Sequence, residues 1–206
     1  MAGIDVVISG IGQSAVGRKL AQSGLELTVD ASLEAIADAG LTVADIDGLS
    51  TFPGRRPDAI PFSPVGTMDL KDALGLKLDW FAGAMEGSAQ IGAIINAYAA
   101  IKAGLVRHVL CFRTVKEGSG GASWKENAEV RTHRARLDGE FQYLFPYNAI
   151  SATNWLSLYA QRHFHLYGTT REQLGQIAII ERRGAVDNPK ALFREPLTMD
   201  EYLSAR

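Results

Sequence analysis

The feature that most constrains the fold is a helical segment, residues 88–104, that is apolar in every direction. Its apolar residues are Ala89, Ile91, Ala93, Ile94, Ile95, Ala97, Tyr98, Ala99, Ala100, Ile101 and Ala103. A surface helix has one apolar face, whereas a helix that is apolar all round is expected to be covered on all sides. A three-layer sandwich leaves one face of each helix in water. The segment therefore predicts more than three layers, or a tight oligomer.

Strand and helix patterns alternate in the first half of the chain. The apolar, β-rich runs that predict strands are residues 4–11, 48–52, 78–82 and 108–114, and the intervening helical patterns lie near residues 26–39, 68–74 and 88–104. This alternation indicates an α/β fold with a largely parallel sheet. After residue 114 a long polar, then aromatic, loop precedes helical patterns near residues 150–167, 170–187 and 199–205. The sequence thus predicts two domains, 1–114 and 115–206.

The composition excludes several classes of function. The 206 residues are 47% apolar with a formal net charge of −2, so nothing electrostatic favours nucleic acid or an anionic membrane as a partner. The longest nearly apolar run, residues 91–103, is too short to span a bilayer, and the N-terminus lacks the basic lead of a signal peptide. The single cysteine, Cys111, excludes an internal disulfide, and the expected compartment is the cytoplasm.

Three motifs favour structural interpretations. "GIGQSA", residues 10–15, matches a dinucleotide-binding fingerprint loosely, but the acidic residue at the expected spacing, Asp30, lies inside a helical pattern. His163 and His165 diverge on a helix and have no ligand-like neighbours in sequence, so no metal site is predicted. Cys111 lies in the middle of a predicted strand and is expected to be a small core residue.

Two further groups of residues each allow a structural and a functional interpretation. Ser88 precedes the apolar helix and is favoured as its N-cap, because a nucleophile would need a nearby base and an elbow motif would need glycine where Glu86 and Gln90 stand. An aromatic group after the long loop either forms a satellite core or lines an apolar pocket. Its members are Phe141, Tyr143, Phe145, Tyr147 and Trp155.

Longer motifs carry a family resemblance. They are "GIGQSAVGR", "AGLTVADIDGL", the small-residue turn before the alanine-rich helix, "PYNAISATNWLSLYAQRHFHLYGTTREQLGQIAIIERRGAVDNP" and "FREPLTMDEYLSAR". Together they span essentially the whole chain. They closely resemble the N-terminal half of thiolase-like proteins, above all the sterol-carrier-type thiolases and the lipid-transfer-protein aldolases of steroid side-chain degradation.

The resemblance implies a five-layer αβαβα fold, in which two similar halves each contribute one sheet and one buried helix. It implies a homodimer formed partly through the strand at residues 78–82, and a loop domain, from about residue 115 to 195, that covers an acyl-CoA site. The CoA thioester would be the substrate, with no cofactor and no metal. Aldolases of this branch work with a small OB-fold partner protein, so such a partner is expected here.

The resemblance also locates the active site. Thiolases begin the buried helix with a nucleophilic cysteine, and alignment on Gly92 places that cysteine at Ala89, whose methyl group cannot attack a thioester. Loss of the cysteine is the pattern of the aldolase branch, which implies retro-aldol cleavage of a β-hydroxyacyl-CoA. Tyr147 and Asn148 stand where thiolases have a His-Met pair. Together with Trp155 and Ser88, they are expected to contact the substrate.

Family members are about twice as long as this chain, and their catalytic acid and base residues come from the C-terminal half. The chain is therefore expected to be a fragment, a split-gene product or part of a cleaved chain, and inactive or insoluble without a complementary polypeptide. Two other functions remain open: a non-catalytic acyl-CoA-binding subunit, and a degenerate acyltransferase of the thiolase type.

Overall fold

The computed structural model describes residues 5–17, 19–54, 63–83, 89–116, 141–149 and 152–205. The chain divides into two compact units, Met1–Ser123 and Trp124–Arg206.

The first unit contains a small parallel sheet. Its strands are β1 (Gly48–Thr51), β2 (Trp80–Gly83) and β3 (Val109–Phe112), in the order β2-β1-β3. Both neighbours run parallel to β1, with Leu49 opposite Phe81 on one side and Leu110 on the other. The predicted α/β fold with a parallel sheet is confirmed.

Helices cover both faces of this sheet. They are α1 (Gly24–Asp38), α2 (Thr67–Leu74) and α3 (Ala89–Lys102), with a short 3-10 turn at Val43–Asp45. Leu49 points to the side of α1 and α2, where it joins the buried cluster of Ile36, Ile46, Val65, Leu70, Leu76 and Leu110. Its neighbour Ser50 points the opposite way, because side chains alternate along a strand, and donates a hydrogen bond to the carbonyl of Ala93 in α3 (2.8 Å). The sheet therefore lies between α1 and α2 on one face and α3 on the other.

The strand predicted at residues 4–11 is wrong for the described residues, because residues 5–11 pair with no described strand. The segment instead packs along α1. A Cβ atom on Gly10 or Gly12 would overlap backbone atoms of α1, so both glycines permit this close approach. The amide of Ile11 also donates to Asp38 Oδ2 (2.9 Å). Val7 and Ile8 are left 76% exposed.

The prediction that further layers or an oligomer cover α3 on all sides stays a prediction, because the described structure covers this helix on one side only. Ala93, Ala97 and Ala100 are buried against the sheet. Ile91 and Ile95 are more than half exposed, because no described element covers their side of the helix.

The second unit is helical. Its elements are α4 (Phe141–Leu144), a 3-10 turn at Phe145–Tyr147, α5 (Ala152–Tyr167), α6 (Arg171–Val186) and α7 (Met199–Ser204). Capping boxes start the last two helices, through Thr170 with Gln173 and Thr198 with Glu201. The predicted helices at 150–167, 170–187 and 199–205 are confirmed to within two residues at each end, whereas α4 and its turn were not predicted.

Candidate functional site

Ala89, where the family resemblance places a nucleophile, is the first residue of α3. Its backbone has φ = 52°, in the left-handed region that residues with a Cβ seldom adopt. Such strain costs of order 1–3 kcal/mol and is concentrated at functional sites. Ser88, the predicted N-cap and candidate substrate contact, lies outside the described residues.

The first turn of α3 carries backbone N–H groups that can stabilise a negative charge. The first N–H groups of an α-helix have no carbonyl partner within the helix, and they carry the positive end of its dipole. A negatively charged oxygen near Ala89 would therefore be stabilised by backbone groups alone. The methyl group of Ala89 adds no nucleophile, acid or base.

The predicted pocket residues lie together in the second unit. Tyr147 ends the 3-10 turn and Asn148 follows it with φ = 56°. Trp155, on α5, donates its indole N–H to the carbonyl of Ala149 (2.7 Å), which ties the turn to that helix. Tyr147 is 85% exposed, so it takes no part in a satellite core within the described structure. The predicted contact of these residues with substrate stays a prediction.

Sequence reasoning missed a cavity of about 790 Å³ in the first unit. Residues 6–12 line one side of it and β3 lines the other, with side chains of α1 and α3 between them. The "GIGQSA" segment, residues 10–15, lies in this wall. It does not open a helix, because α1 begins only at Gly24. The geometry of a dinucleotide-binding turn is thus absent from this segment.

Cys111 lies on β3 at this cavity. The interpretation of Cys111 as a buried core residue is wrong, because part of its side chain is exposed at the cavity wall. Enough protein still surrounds the sulfur to desolvate a thiolate, and this burial raises the pKa of the Cys111 thiol to about 11. The thiol is therefore neutral at physiological pH and is a poor nucleophile.

In the part of the chain that the structure describes, no helix has the length and apolar character needed to cross a membrane. Within the same ranges, no cluster of three or more His, Cys, Asp or Glu residues is placed to hold a metal ion.

No family model matches the chain. It is 30% identical, over 97% of its length, to a steroid side-chain-cleaving aldolase of Thermomonospora curvata, and covers 50% of that protein. It is 26% identical, over 98% of its length, to a 17-hydroxy-3-oxo-4-pregnene-20-carboxyl-CoA lyase of Mycobacterium tuberculosis, and covers 51% of it. The chain thus spans about half the length of the curated relatives it matches.

A solved structure supports the same relationship. The chain superimposes on an Ltp2-ChsH2(DUF35) aldolase with a TM-score of 0.78 and 30% identity. The match covers 97% of this chain and 48% of the other. Over nearly its whole length, the chain is related to the lipid-transfer aldolases of the thiolase-like group, as its sequence motifs predicted.

Proposed function

We propose that the protein contributes to retro-aldol cleavage of a β-hydroxyacyl-CoA, of the steroid side-chain type, within a larger assembly. The observation that carries the proposal is Ala89, which combines a strained backbone at the start of α3 with a side chain that cannot form an acyl-enzyme. The relatives named as a side-chain-cleaving aldolase and a carboxyl-CoA lyase support a carbon–carbon cleavage, and they are more similar to this chain than the matched acetyl-CoA acetyltransferase of Methanothermobacter thermautotrophicus, which is 23% identical.

The proposed reaction needs no covalent intermediate. A base takes the proton of the β-hydroxyl group, the oxygen lone pair forms the new carbonyl, and the bond between Cα and Cβ breaks. The products are a ketone or aldehyde and the enolate of the CoA thioester, which is then protonated at Cα. The amides at the start of α3 would stabilise the enolate oxygen. The acid and base would come from polypeptide that corresponds to the half of the relatives that this chain does not match.

The other proposed roles follow from the family. Tyr147, Asn148 and Trp155 would line the acyl pocket, and Ser88 would contact substrate near Ala89. The CoA thioester is the substrate in this proposal, and no further cofactor is invoked. A small OB-fold partner protein and a homodimer through β2 complete the proposed assembly. The solved Ltp2-ChsH2(DUF35) aldolase supports a two-component assembly.

The test uses the complete assembly incubated with a β-hydroxyacyl-CoA, with the products followed by mass spectrometry. A carbonyl product that forms without free CoA supports the proposal. Cleavage that requires free CoA would show thiolysis instead. Binding of the acyl-CoA without any product would leave the chain as a non-catalytic subunit.

Two variants at one position sharpen this test. Ala89→Gly permits the left-handed backbone and adds no reactive group, so it should retain cleavage within about threefold, a change of roughly 0.6 kcal/mol in the barrier. Ala89→Cys supplies the thiol of a thiolase, and under the aldolase mechanism it should bring no gain. A large increase in CoA-dependent cleavage in Ala89→Cys would contradict the proposal.

A further inference from the structure

Helix α3 rests on a row of small side chains of the sheet. The register of the three strands places Ala82 and Cys111 directly beside Ser50, one on each side. Residues in register point to the same face of a sheet, and Ser50 faces α3. The buried residues of α3 are small as well: Ala93, Ala97 and Ala100. Helix and sheet therefore meet through two small-residue surfaces.

Such surfaces allow a close approach but give little resistance to sliding. The fit of a helix on its neighbour is fixed by side-chain ridges that enter grooves, and alanine methyl groups form only low ridges. Dispersion and hydrophobic contacts have no preferred direction. A shift of α3 by one residue along its axis is only ~1.5 Å. The position of α3 on the sheet therefore depends on a directional contact.

Ser50 provides this directional contact. Its side chain is 0% exposed, and its hydroxyl donates to the carbonyl of Ala93 at 2.8 Å. Because O–H···O hydrogen bonds usually span about 2.5–3.0 Å, this bond holds the carbonyl of Ala93 to within roughly 0.3 Å. The thiol of Cys111 approaches the same carbonyl at 3.9 Å, but a thiol is a weak donor. Ser50 is the stronger of the two contacts.

The anchored carbonyl lies one turn from the start of α3. Ala93 follows Ala89 by four residues, or about 6 Å along the helix axis. Since the intervening turn is helical, a displacement of Ala93 also moves the amides of Gln90 and Ile91. In the proposed reaction, the first-turn amides stabilise the enolate oxygen, and donors of this kind must lie about 2.7–3.1 Å from that oxygen. The tolerance at the enolate is thus similar to the freedom that Ser50 leaves to Ala93.

We propose that Ser50 is a positioning residue for the carbon–carbon cleavage, and this inference rests on the proposed function. Its hydrogen bond to Ala93 sets the distance between the first-turn amides of α3 and the enolate oxygen. Ser50 acts through the helix and does not contact the substrate. A misplacement of about 1 Å at a reacting centre can cost roughly 100-fold in rate. Loss of the bond should therefore lower kcat and kcat/KM together and leave KM nearly unchanged.

The experiment compares Ser50→Ala with Thr51→Val in the complete assembly. Thr51 follows Ser50 on β1, is also buried, and donates its hydroxyl to the carbonyl of Phe112 at the same distance, 2.8 Å. This second bond joins β1 to β3 and does not involve α3, so Thr51→Val is the matched control. In Ser50→Ala the carbonyl of Ala93 keeps its partner within the helix, so no buried group is left unpaired. Both variants should lower the midpoint of urea unfolding by similar amounts.

The kinetic measurement follows the carbonyl product from a β-hydroxyacyl-CoA by mass spectrometry over a range of substrate concentrations. Ser50→Ala should lower kcat by about tenfold to 100-fold, with KM within about threefold of the wild type. Thr51→Val should keep both constants within about threefold. Equal losses of kcat in the two variants would overturn the proposal, because they would show a general effect of stability. An unchanged kcat in Ser50→Ala would overturn it as well.

A second measurement tests the positioning directly. The amide resonances of Gln90 and Ile91 are compared by NMR in the isotope-labelled chain within the complete assembly. They should shift in Ser50→Ala and stay in place in Thr51→Val. If the wild-type assembly forms no carbonyl product, the proposed function fails, and the resonances still decide whether Ser50 positions α3. Resonances that do not move in Ser50→Ala would refute the positioning role whatever the assembly catalyses.

Discussion

The left-handed backbone of Ala89 leads to a quantitative prediction for the variant Ala89→Gly. A residue with a Cβ pays about 1 kcal/mol or more at φ = 52°, whereas glycine adopts this conformation without steric cost. Glycine also gives the unfolded chain more conformational freedom, which lowers stability by roughly 0.4–1 kcal/mol. The two effects leave Ala89→Gly neutral or about 0.5 kcal/mol more stable than the wild type.

The matched control is Ala99→Gly in the same helix. Ala99 lies in the middle of α3, has its side chain exposed to solvent, and has a negative φ. Glycine there should cost about 1 kcal/mol through helix propensity alone. The two variants should thus differ by about 1.5 kcal/mol, or roughly tenfold in the unfolding equilibrium.

Urea unfolding of the three proteins at one protein concentration and pH, with linear extrapolation to water, measures this difference. Similar m-values would show that the three proteins expose the same amount of surface on unfolding. A loss of about 1 kcal/mol in both glycine variants would refute the reasoning, because it would give residue 89 an ordinary helical backbone. The backbone of Ala89 would then give no support to the proposed function either.

Two further predictions concern helix packing and the lone thiol. Gly175→Ala should destabilise the protein by about 1–3 kcal/mol, because the new Cβ would lie 2.6 Å from the ring of Tyr202. Gly184→Ala in the same helix meets no atom within 4 Å and should add up to about 1 kcal/mol of stability in urea unfolding. The raised pKa of Cys111, about 11, means that the unfolded thiol ionises first. The free energy of unfolding should therefore fall as the pH rises from about 8.5 to 11. Cys111→Ser has no thiol to ionise, so its free energy of unfolding should lack this part of the pH dependence when both proteins are compared by urea unfolding across that range.

Local signals predicted the helices well. The capping boxes at Thr170 and Thr198 combine a hydroxyl with a Gln or Glu three residues later, so the start of each helix is set by residues adjacent in sequence. The parallel sheet was predicted for a similar reason, since short β-rich runs alternate with helical patterns. The position of Ala89 followed from the family resemblance, whereas no single-residue propensity predicts its left-handed backbone.

The wrong strand and the one-sided cover of α3 share a physical cause. Residues 4–11 were expected to form a buried strand, yet Val7 is 76% exposed. Helix α3 was expected to be covered by further layers or an oligomer, and without them Ile91 is 61% exposed. Burial depends on what packs against a segment, which local sequence cannot supply. An error of local propensity would give a wrong helix or strand at random places. Here α3 forms as predicted, and the discrepancy lies in its partners.

The exposed apolar side chains also bear on the proposed assembly. An apolar side chain such as Val7 or Ile91 contributes about 1.5–3 kcal/mol when it is fully buried, so leaving several of them in water forgoes several kcal/mol of stabilisation. Polypeptide that covers these side chains in the assembly would supply this stabilisation. The free energy of unfolding should therefore be higher for the complete assembly than for the chain alone, and urea unfolding of both measures the difference.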